Sequence, residues 1–279
     1  MYYLDNIDGV ISMFTIRASS LSHYSDCMRR SAAKMFPEVL ADYGFKVNAV
    51  HTSIGAAVGT ATHKALETGI LLKNAGKDYV DEMRKVAFDS LVESIAEGII
   101  WDDTTTNRDN GVLQAVRQAR MVLDRFPNLA EVSVEDEFQV DLGDGFILSG
   151  HVDIRGRLGD ELVIFDLKTG TVRRVNIAQY GAYSLLVRSH GKPVSRLGEI
   201  YIKRIGVTKP QSEPILTEYP VALAESTAWS VINRIKNDVS AFVASGNPEV
   251  WLPNPNSMMC SPNYCPAFGT NFCKLCKEK

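Results

Sequence analysis

Two acidic segments near the middle of the chain, each on a predicted strand, constrain its fold most strongly. Asp153 ends the segment GHVD, and Asp166 and Lys168 belong to the segment FDLKTG. Side chains alternate faces along a strand, so Asp166 and Lys168 point to the same side. Residues 162–165 are apolar and indicate a strand buried on both faces, where an uncompensated charge is unfavourable. A divalent cation held by the two carboxylates, with Lys168 beside it, would compensate them. Such a site is suited to hydrolysing phosphodiesters.

The remaining pattern predicts an α/β protein with a helical N-terminal part and an irregular, ligand-dependent C-terminus. A serine-rich start followed by a short helix is predicted for residues 17–36. Further helices are predicted at about 51–74, 78–98, 111–126, 176–189 and 222–245. Strands are predicted at about 132–141, 145–157, 161–168, 197–206 and 214–220, with turns at 143–145 and 159–160. We expect a single domain over residues 1–279, made of an N-terminal segment (1–50), a core (51–245) and a cysteine-rich tail (246–279).

Composition and charge set limits on location and on the kind of substrate. The chain has 279 residues, 45% of them hydrophobic and 23% charged, which is ordinary for a water-soluble globular protein. It has no run of about eighteen apolar residues and no basic-then-apolar start, so we expect no membrane span, no secretory signal and a cytoplasmic location. Residues 151–210 hold eleven Lys or Arg and five Asp or Glu. This net charge of +6 suits a polyanionic substrate, although a solvated sheet edge with its loops would show the same bias.

Five cysteines are present, and four of them lie in the last twenty residues. Without a secretory signal, this pattern favours a metal or cluster site over disulfides. The tail spacing Cys-x4-Cys-x7-Cys-x2-Cys contains only one short pair, unlike the two pairs of a zinc ribbon. Because the tail has little apolar material with which to fold, we expect the bound metal to be structural.

Three residues outside the acidic segments complete a recognisable pattern. His63 lies upstream on a predicted helix, in GTATHKALE, and Gln179 and Tyr183 are four residues apart on one face of the helix after Lys168. Together with Asp153 and the segment FDLKTG, these residues resemble the RecB-like branch of the PD-(D/E)xK nuclease superfamily over residues 55–190. The cysteines extend the resemblance to the iron–sulfur exonucleases of that branch, which include CRISPR-adaptation, AddB-type and phage enzymes. The resemblance implies a mixed central sheet flanked by helices.

The resemblance implies a role for each metal-site residue. It makes His63, Asp153 and Asp166 metal ligands, with the Leu167 carbonyl as a further ligand. Lys168 would orient or deprotonate the attacking water and steady the phosphate charge. A histidine in an otherwise oxygen-rich shell favours Mn²⁺ more than an all-oxygen site does, so Mg²⁺ or Mn²⁺ is expected.

Supporting residues follow from the same resemblance. Gln179 and Tyr183 would support the site and touch the nucleic acid. An acid on the first long strand also belongs to the pattern; Glu135 and Glu137 share a face, and we favour Glu135. Apart from the resemblance, four arginines are candidate phosphate contacts, although surface arginines are common: Arg29, Arg30, Arg173 and Arg174. Taken singly, the histidine and acids have plainer interpretations, as an ordinary helix histidine and as ion pairs.

The same branch uses one early cysteine and three near the C-terminus. This implies a [4Fe–4S] cluster held by Cys27, Cys260, Cys265 and Cys273, with Cys276 as the alternative ligand. The tail departs from the branch's commoner Cys-x2-Cys-x5-Cys spacing, which leaves the choice of ligands open. Structural zinc bound by the four tail cysteines is the alternative.

The expected function is therefore that of a metal-dependent DNA exonuclease, acting on single strands or DNA ends in recombination or repair, in a phage setting and with a recombination protein as partner. Digestion of single strands from 5′ to 3′ is frequent in the branch. A restriction-type or structure-specific endonuclease on the same core is the first alternative. A non-catalytic DNA-binding scaffold is the second.

Overall fold

The computed structural model describes residues 13–125 and 129–276. The strands are β1 Phe14–Arg17, β2 Thr52–Ser53, β3 Ile99–Ile100, β4 Ala130–Asp141, β5 Phe146–Leu158, β6 Glu161–Gly170, β7 Arg196–Lys203 and β8 Ile215–Tyr219. The helices are α1 Leu21–Asp26, α2 Met28–Met35, α3 Pro37–Asp42, α4 Ile54–Asn74, α5 Val80–Ala96, α6 Arg108–Arg125, α7 Ile177–Ser189 and α8 Val221–Ser245. Short 3₁₀ turns occupy Ala18–Ser20, Pro248–Val250 and Lys274–Cys276.

Six strands form one mixed sheet centred on β5. The order is β1-β5-β6-β7-β8, and β4 pairs with β5 along its other edge. β1 runs parallel to the first half of β5, whereas β6 pairs antiparallel with its second half. β6 and β7 are parallel because the chain crosses over through α7 between them. Strand β5 thus changes its neighbour on one edge near the middle of its length.

Helices cover the sheet on both faces and bury two separate cores. One core contains side chains from α1, α2, α7, α8 and the C-terminal tail, with Trp251 and Phe242 fully buried. The other contains side chains from α4, α5 and α6. The predicted α/β class, with a mixed sheet between helices and a helical N-terminal part, is confirmed.

The long elements begin and end close to their predicted bounds, and the short N-terminal elements differ. The hairpin of β5 and β6 turns at Gly159, whose φ of +62° suits glycine. Strand β1 is not predicted, because four residues are too few for an alternating pattern to stand out. The single helix expected within residues 17–36 is two helices, since Cys27 has an extended backbone between α1 and α2.

Residues 1–12, for which no secretory signal is predicted, lie outside the described residues. Within residues 13–125 and 129–276, no helix has the length and apolar character needed to cross a membrane. The division of the chain into three parts stays a prediction.

The contact between α7 and α8 depends on Gly181. A Cβ added at this position would lie 1.9 Å from the Ala224 carbonyl oxygen, which is backbone and cannot rotate away. We expect Gly181→Ala to lower the free energy of unfolding by about 2–3 kcal/mol. Gly206→Ala is the control, because its Cβ would meet no atom within 4 Å. Urea unfolding measures both, and equal stability of the two variants would contradict this packing.

Candidate active site

The strand register brings three acids to one level of the sheet. Ile154 of β5 pairs with Phe165 of β6. Continuing this register by one residue places Asp153 at the level of Asp166. Asp153 also lies between Val152 and Ile154, which pair with Asp136 and Val134, so it is at the level of Glu135 on β4. Neighbouring strands are about 4.8 Å apart, so the three carboxylates form a row across the sheet.

The two faces of strands β4 and β5 exchange at Glu135 and Asp153. Even-numbered residues before Glu135 on β4 and after Asp153 on β5 pack into the core of α4, α5 and α6. Even-numbered residues after Glu135 and before Asp153 pack into the core of α7 and α8. The first set is Val132, Val134 and Ile154, and the second is Phe138, Val140, Leu148 and Val152. Glu135 has a φ of 51°, in the left-handed region that such residues seldom adopt. Strain of this kind, about 1–3 kcal/mol, is typical of functional sites.

His63 of α4 completes a group of three facing donors. Its Nδ1 lies 3.4 Å from Asp153 Oδ2 and 3.6 Å from Glu135 Oε1. One ligand atom from each of the three residues lies within 4.8 Å of the others, as a single bound cation requires. Glu137, the other candidate on β4, is instead exposed and pairs with His151 at 3.8 Å.

Asp166 lies beside this group and is held by its own neighbours. Its Oδ2 is 2.7 Å from Lys168 Nζ, as expected for two side chains on one face of β6. Its Oδ1 accepts a hydrogen bond of 3.0 Å from Gln179 Nε2, which also donates to the Tyr183 hydroxyl at 2.8 Å. The structure thus brings together the predicted lysine, acid, glutamine and tyrosine. Asp166 is not part of the three-donor group around His63.

The Leu167 backbone faces the same point. Its N–H donates to Asp153 Oδ2 at 2.7 Å. The N–H and C=O of one residue leave an extended strand on the same side, so the Leu167 carbonyl also faces β5. Its predicted role as a further metal ligand is compatible with this direction.

Burial and the neighbouring charges shift the pKa values of His63, Asp166 and Asp153. Burial lowers the pKa of His63, but the charge of Asp153 and hydrogen bonds to Asp153 and Glu135 outweigh burial and raise this pKa to about 10. Burial raises the pKa of Asp166 to about 7, and the Asp153 charge adds to the effect. Burial acts in the same direction on Asp153, but the His63 charge holds that pKa below its usual value. In the metal-free chain, His63 therefore keeps its proton and carries a positive charge beside the carboxylates.

Lys168 differs from the expectation for a general base. Burial lowers its pKa, but the charges of Asp166 and Asp153 outweigh burial, and the pKa is raised. A lysine that keeps its proton is better suited to stabilising a phosphate than to deprotonating water.

A cleft of about 620 Å³ opens beside these residues. One part of it is lined by His63, Asp153, Asp166, Lys168, Gln179 and Tyr183. The rest is lined by polar residues of β1, the 3₁₀ turn after β1, β4 and β5: Thr15, Arg17, Ser19, Glu137, Gln139, Ser149 and His151. The sequence did not point to Arg17 or Ser19, because β1 is too short to be recognised and its partner strand lies far along the chain.

A second missed group surrounds Glu199 on β7. Glu199 is fully buried, stands opposite Asp166, and accepts hydrogen bonds from Tyr180 and from Arg173 Nε. Arg173 also donates to Thr217 Oγ1 at 2.5 Å. An acid inside the buried run LGEIYI is the signal that could have identified this network. It engages Arg173, one of the four predicted phosphate contacts, within the protein, while Arg174 is exposed.

Arg29 and Arg30 do not face solvent. They are 2% and 3% exposed. Arg29 donates to the carbonyls of Trp251 and Pro248, and Arg30 pairs with Asp26. The prediction that these two arginines contact DNA is not supported, because their guanidinium groups hold the tail against α2.

The expected basic field is also smaller than the sequence suggests. Six arginines of residues 151–210 form salt bridges, mostly with acids outside that segment. The pairs are Arg155–Asp136, Arg157–Glu131, Arg173–Glu199, Arg188–Glu225, Arg196–Glu218 and Arg204–Asp102. Acids from other segments offset most of the net charge of +6, so residues 151–210 do not form a strongly positive surface.

Four cysteines from the two ends of the described chain converge. Cys27, Cys260, Cys265 and Cys273 are buried and line one cavity, together with Arg30. Burial, with smaller effects from the other cysteines, raises the pKa of Cys265 to about 11. The side chain of Cys276 lies outside the described residues.

Comparisons with known proteins identify the fold. The model of the PD-(D/E)XK nuclease superfamily matches residues 16–269. The chain belongs to this superfamily. A solved structure from Eubacterium rectale, described as a "putative exonuclease", is 13% identical with a TM-score of 0.50, over 93% of this chain and 92% of that chain. A second solved structure, SSO0001, is 12% identical with a TM-score of 0.35, over 81% of this chain and 79% of that chain. A search of curated proteins finds no significant match.

The donors of this nuclease fit a hard divalent cation. Two carboxylates and an imidazole face one point, and the pKa of the imidazole shows how strongly that point attracts positive charge. Mg²⁺ and Mn²⁺ bind carboxylate oxygen, and Mn²⁺ also accepts imidazole nitrogen. His63, Glu135 and Asp153 would hold the ion, with Asp166 beside them.

Metal affinity should rise with pH. His63 must lose its proton to bind a metal, and its pKa of about 10 means that it is protonated at neutral pH. We expect Mn²⁺ affinity to increase by about tenfold per pH unit between pH 8 and 9, where Asp166 has already lost its proton and only the His63 proton is released. Calorimetric titration in buffers of different ionisation enthalpy measures the affinity and the proton count. His63→Gln should remove the release, and an affinity independent of pH in the unaltered chain would contradict the assignment.

Proposed function

We propose that this chain is a divalent-metal-dependent DNA exonuclease. The observation that carries the proposal is the convergence of His63, Glu135 and Asp153 on one point, beside a cleft that His63, Asp153 and Lys168 line. Membership of the PD-(D/E)XK superfamily supports nuclease chemistry.

The metal and the residues of the site would have different roles in the reaction. Bound Mg²⁺ or Mn²⁺ would polarise the phosphate and lower the pKa of a coordinated water. Lys168, which lines the cleft with its Nζ 2.7 Å from Asp166 Oδ2, would stabilise negative charge on the phosphate. Gln179 fixes the Asp166 carboxylate through its 3.0 Å hydrogen bond. Tyr183 keeps its proton, because burial raises its pKa well above the usual value.

Exonuclease action is favoured over endonuclease action by two considerations. The iron–sulfur exonucleases resemble this chain in their residue pattern, and the E. rectale protein of the same fold is described as a "putative exonuclease". We assign the enzyme to DNA end processing in recombination or repair, with a phage setting, a recombination protein as partner and a cytoplasmic location as predictions. A restriction-type or structure-specific endonuclease remains the alternative on the same core.

Linear and covalently closed circular single-stranded DNA of one sequence separate these functions. With Mn²⁺ we expect the linear form to be degraded and the circle to remain intact. Cleavage of the circle at a comparable rate would instead identify an endonuclease.

Paired variants test the site itself. Lys168→Ala and Glu135→Gln should each reduce kcat by about 100-fold or more, since each removes charge at the reacting phosphate or metal. Glu131→Gln is the matched control, because Glu131 lies on the same strand but is exposed and pairs with Arg157 outside the cleft. An unchanged kcat in Lys168→Ala would contradict the proposal. DNA binding without any cleavage by the unaltered chain, and unchanged binding by Lys168→Ala, would support the scaffold alternative.

We also assign a [4Fe–4S] cluster to Cys27, Cys260, Cys265 and Cys273. Their burial around one cavity supports a shared metal group. Four thiolates around zinc stand about 3.8 Å apart, from a Zn–S bond of about 2.3 Å. Among the described residues, no three cysteine sulfurs all lie within 4.8 Å of one another, which favours the wider cluster over zinc. Arg30, which lines the cavity, would offset its negative charge.

Purification without air tests the cluster. We expect a brown protein with about four irons per chain and a broad absorption band at the edge of the visible range. Cys27→Ser should lose iron and unfold at lower temperature, since it removes a clamp between the chain ends, whereas Cys276→Ser should keep its iron. Stoichiometric zinc without iron, or full iron in Cys27→Ser, would contradict the assignment.

A further inference from the structure

One face of the sheet beside the active site carries a row of exposed polar side chains. β1, β4 and the first half of β5 provide Thr15, Arg17, His151, Glu137 and Gln139, all of them exposed. They line the same cleft as Asp153 and Lys168. This polar floor is therefore continuous with the proposed metal site.

The register arranges these side chains in successive rows along β5. Arg17 pairs with Ser149, which pairs on its other side with Gln139. The next row holds His151, and the row after that holds Asp153. Ser149 and Asp153 are four residues apart, or about 14 Å along the strand, a length spanned by a few nucleotides.

Arg17 differs from most arginines near the site. Six arginines of residues 151–210 are engaged by acids. Among the described residues, by contrast, no acid or hydrogen-bond acceptor pairs with the Arg17 side chain. Its guanidinium is free to bind an anion in the cleft, and a phosphate group accepts its fork of donors.

The cleft is small compared with a DNA duplex. Its volume of about 620 Å³ lies in the range of small-molecule pockets, which favours part of a single strand as its occupant.

We propose that the polar floor of β1, β5 and β4 is the track along which a single DNA strand reaches the metal site, and that Arg17 binds a backbone phosphate of that strand a few nucleotides from the scissile bond. The proposal rests on the nuclease function proposed above and specifies its substrate as a single strand. Gln139 and Ser149, beside Arg17, offer hydrogen bonds to the sugar or bases.

Binding of a fluorescent single-stranded oligonucleotide, measured by anisotropy over a range of salt concentrations, tests the track. All variants carry Asp166→Asn to prevent cleavage. Arg17→Ala should weaken binding about tenfold and reduce the slope of log affinity against log salt by about 0.7, the value for one phosphate contact on a single strand. Arg17→Lys should retain most of the slope. Arg125→Ala is the control, because Arg125 pairs with Glu213 outside the cleft.

An unchanged slope in Arg17→Ala would overturn the proposal, as would equal affinity for a blunt duplex and a single strand of the same length. Because binding is measured without cleavage, this result is independent of the nuclease assay. An active enzyme with an unchanged slope would refute the track alone, and an inactive enzyme would refute the proposed function.

Discussion

Mutual repulsion among three carboxylates on neighbouring strands is the constraint on which the site depends. Two unit charges 4 Å apart interact by about 4 kcal/mol at an effective dielectric constant of 20. Glu135, Asp153 and Asp166 therefore need positive charge between them. Without a metal, protonated His63 and the ammonium of Lys168 supply it, and the raised pKa of Asp166 reduces the negative charge of that carboxyl near neutral pH. A divalent cation bound between the carboxylates would relieve the same repulsion, which favours its binding.

The topology of the sheet brings the three carboxylates together. The faces of β4 and β5 exchange at Glu135 and Asp153, and close to this point the neighbour of β5 changes from β1 to β6. The opening lets His63 approach from α4 while Gln179 approaches from α7. The left-handed backbone at Glu135 reflects this local distortion. Side chains from both helical layers therefore reach the row of acids, His63 at Asp153 and Glu135 and Gln179 at Asp166.

Much of the site is predictable from the sequence because it depends on local patterns. The hairpin of β5 and β6 has strong apolar runs and glycine turns, so the positions of Asp153, Asp166 and Lys168 follow from strand periodicity. Helical spacing likewise gives the neighbouring positions of Gln179 and Tyr183. The prediction that His63 meets these residues depends on the resemblance to a family alone, because residues far apart along the chain can lie at any distance in the fold.

The remaining features depend on long-range pairing that no local pattern encodes. Arg17 enters the cleft because β1 pairs with a strand more than a hundred residues away. Arg29 and Arg30 are buried because the tail folds over α2, although arginines are usually exposed. Charge counts over residues 151–210 also mislead, since the partner acids belong to other segments.

The most direct measurement is a crystal structure of the chain grown with Mn²⁺, with the ion located by its anomalous scattering. One manganese ion is expected within about 2.5 Å of an Asp153 oxygen and the His63 nitrogen, with carboxylate oxygen from Glu135 or Asp166 completing the protein ligands. An anomalous peak elsewhere, or no peak at a saturating Mn²⁺ concentration, would contradict a metal-dependent active site at this position.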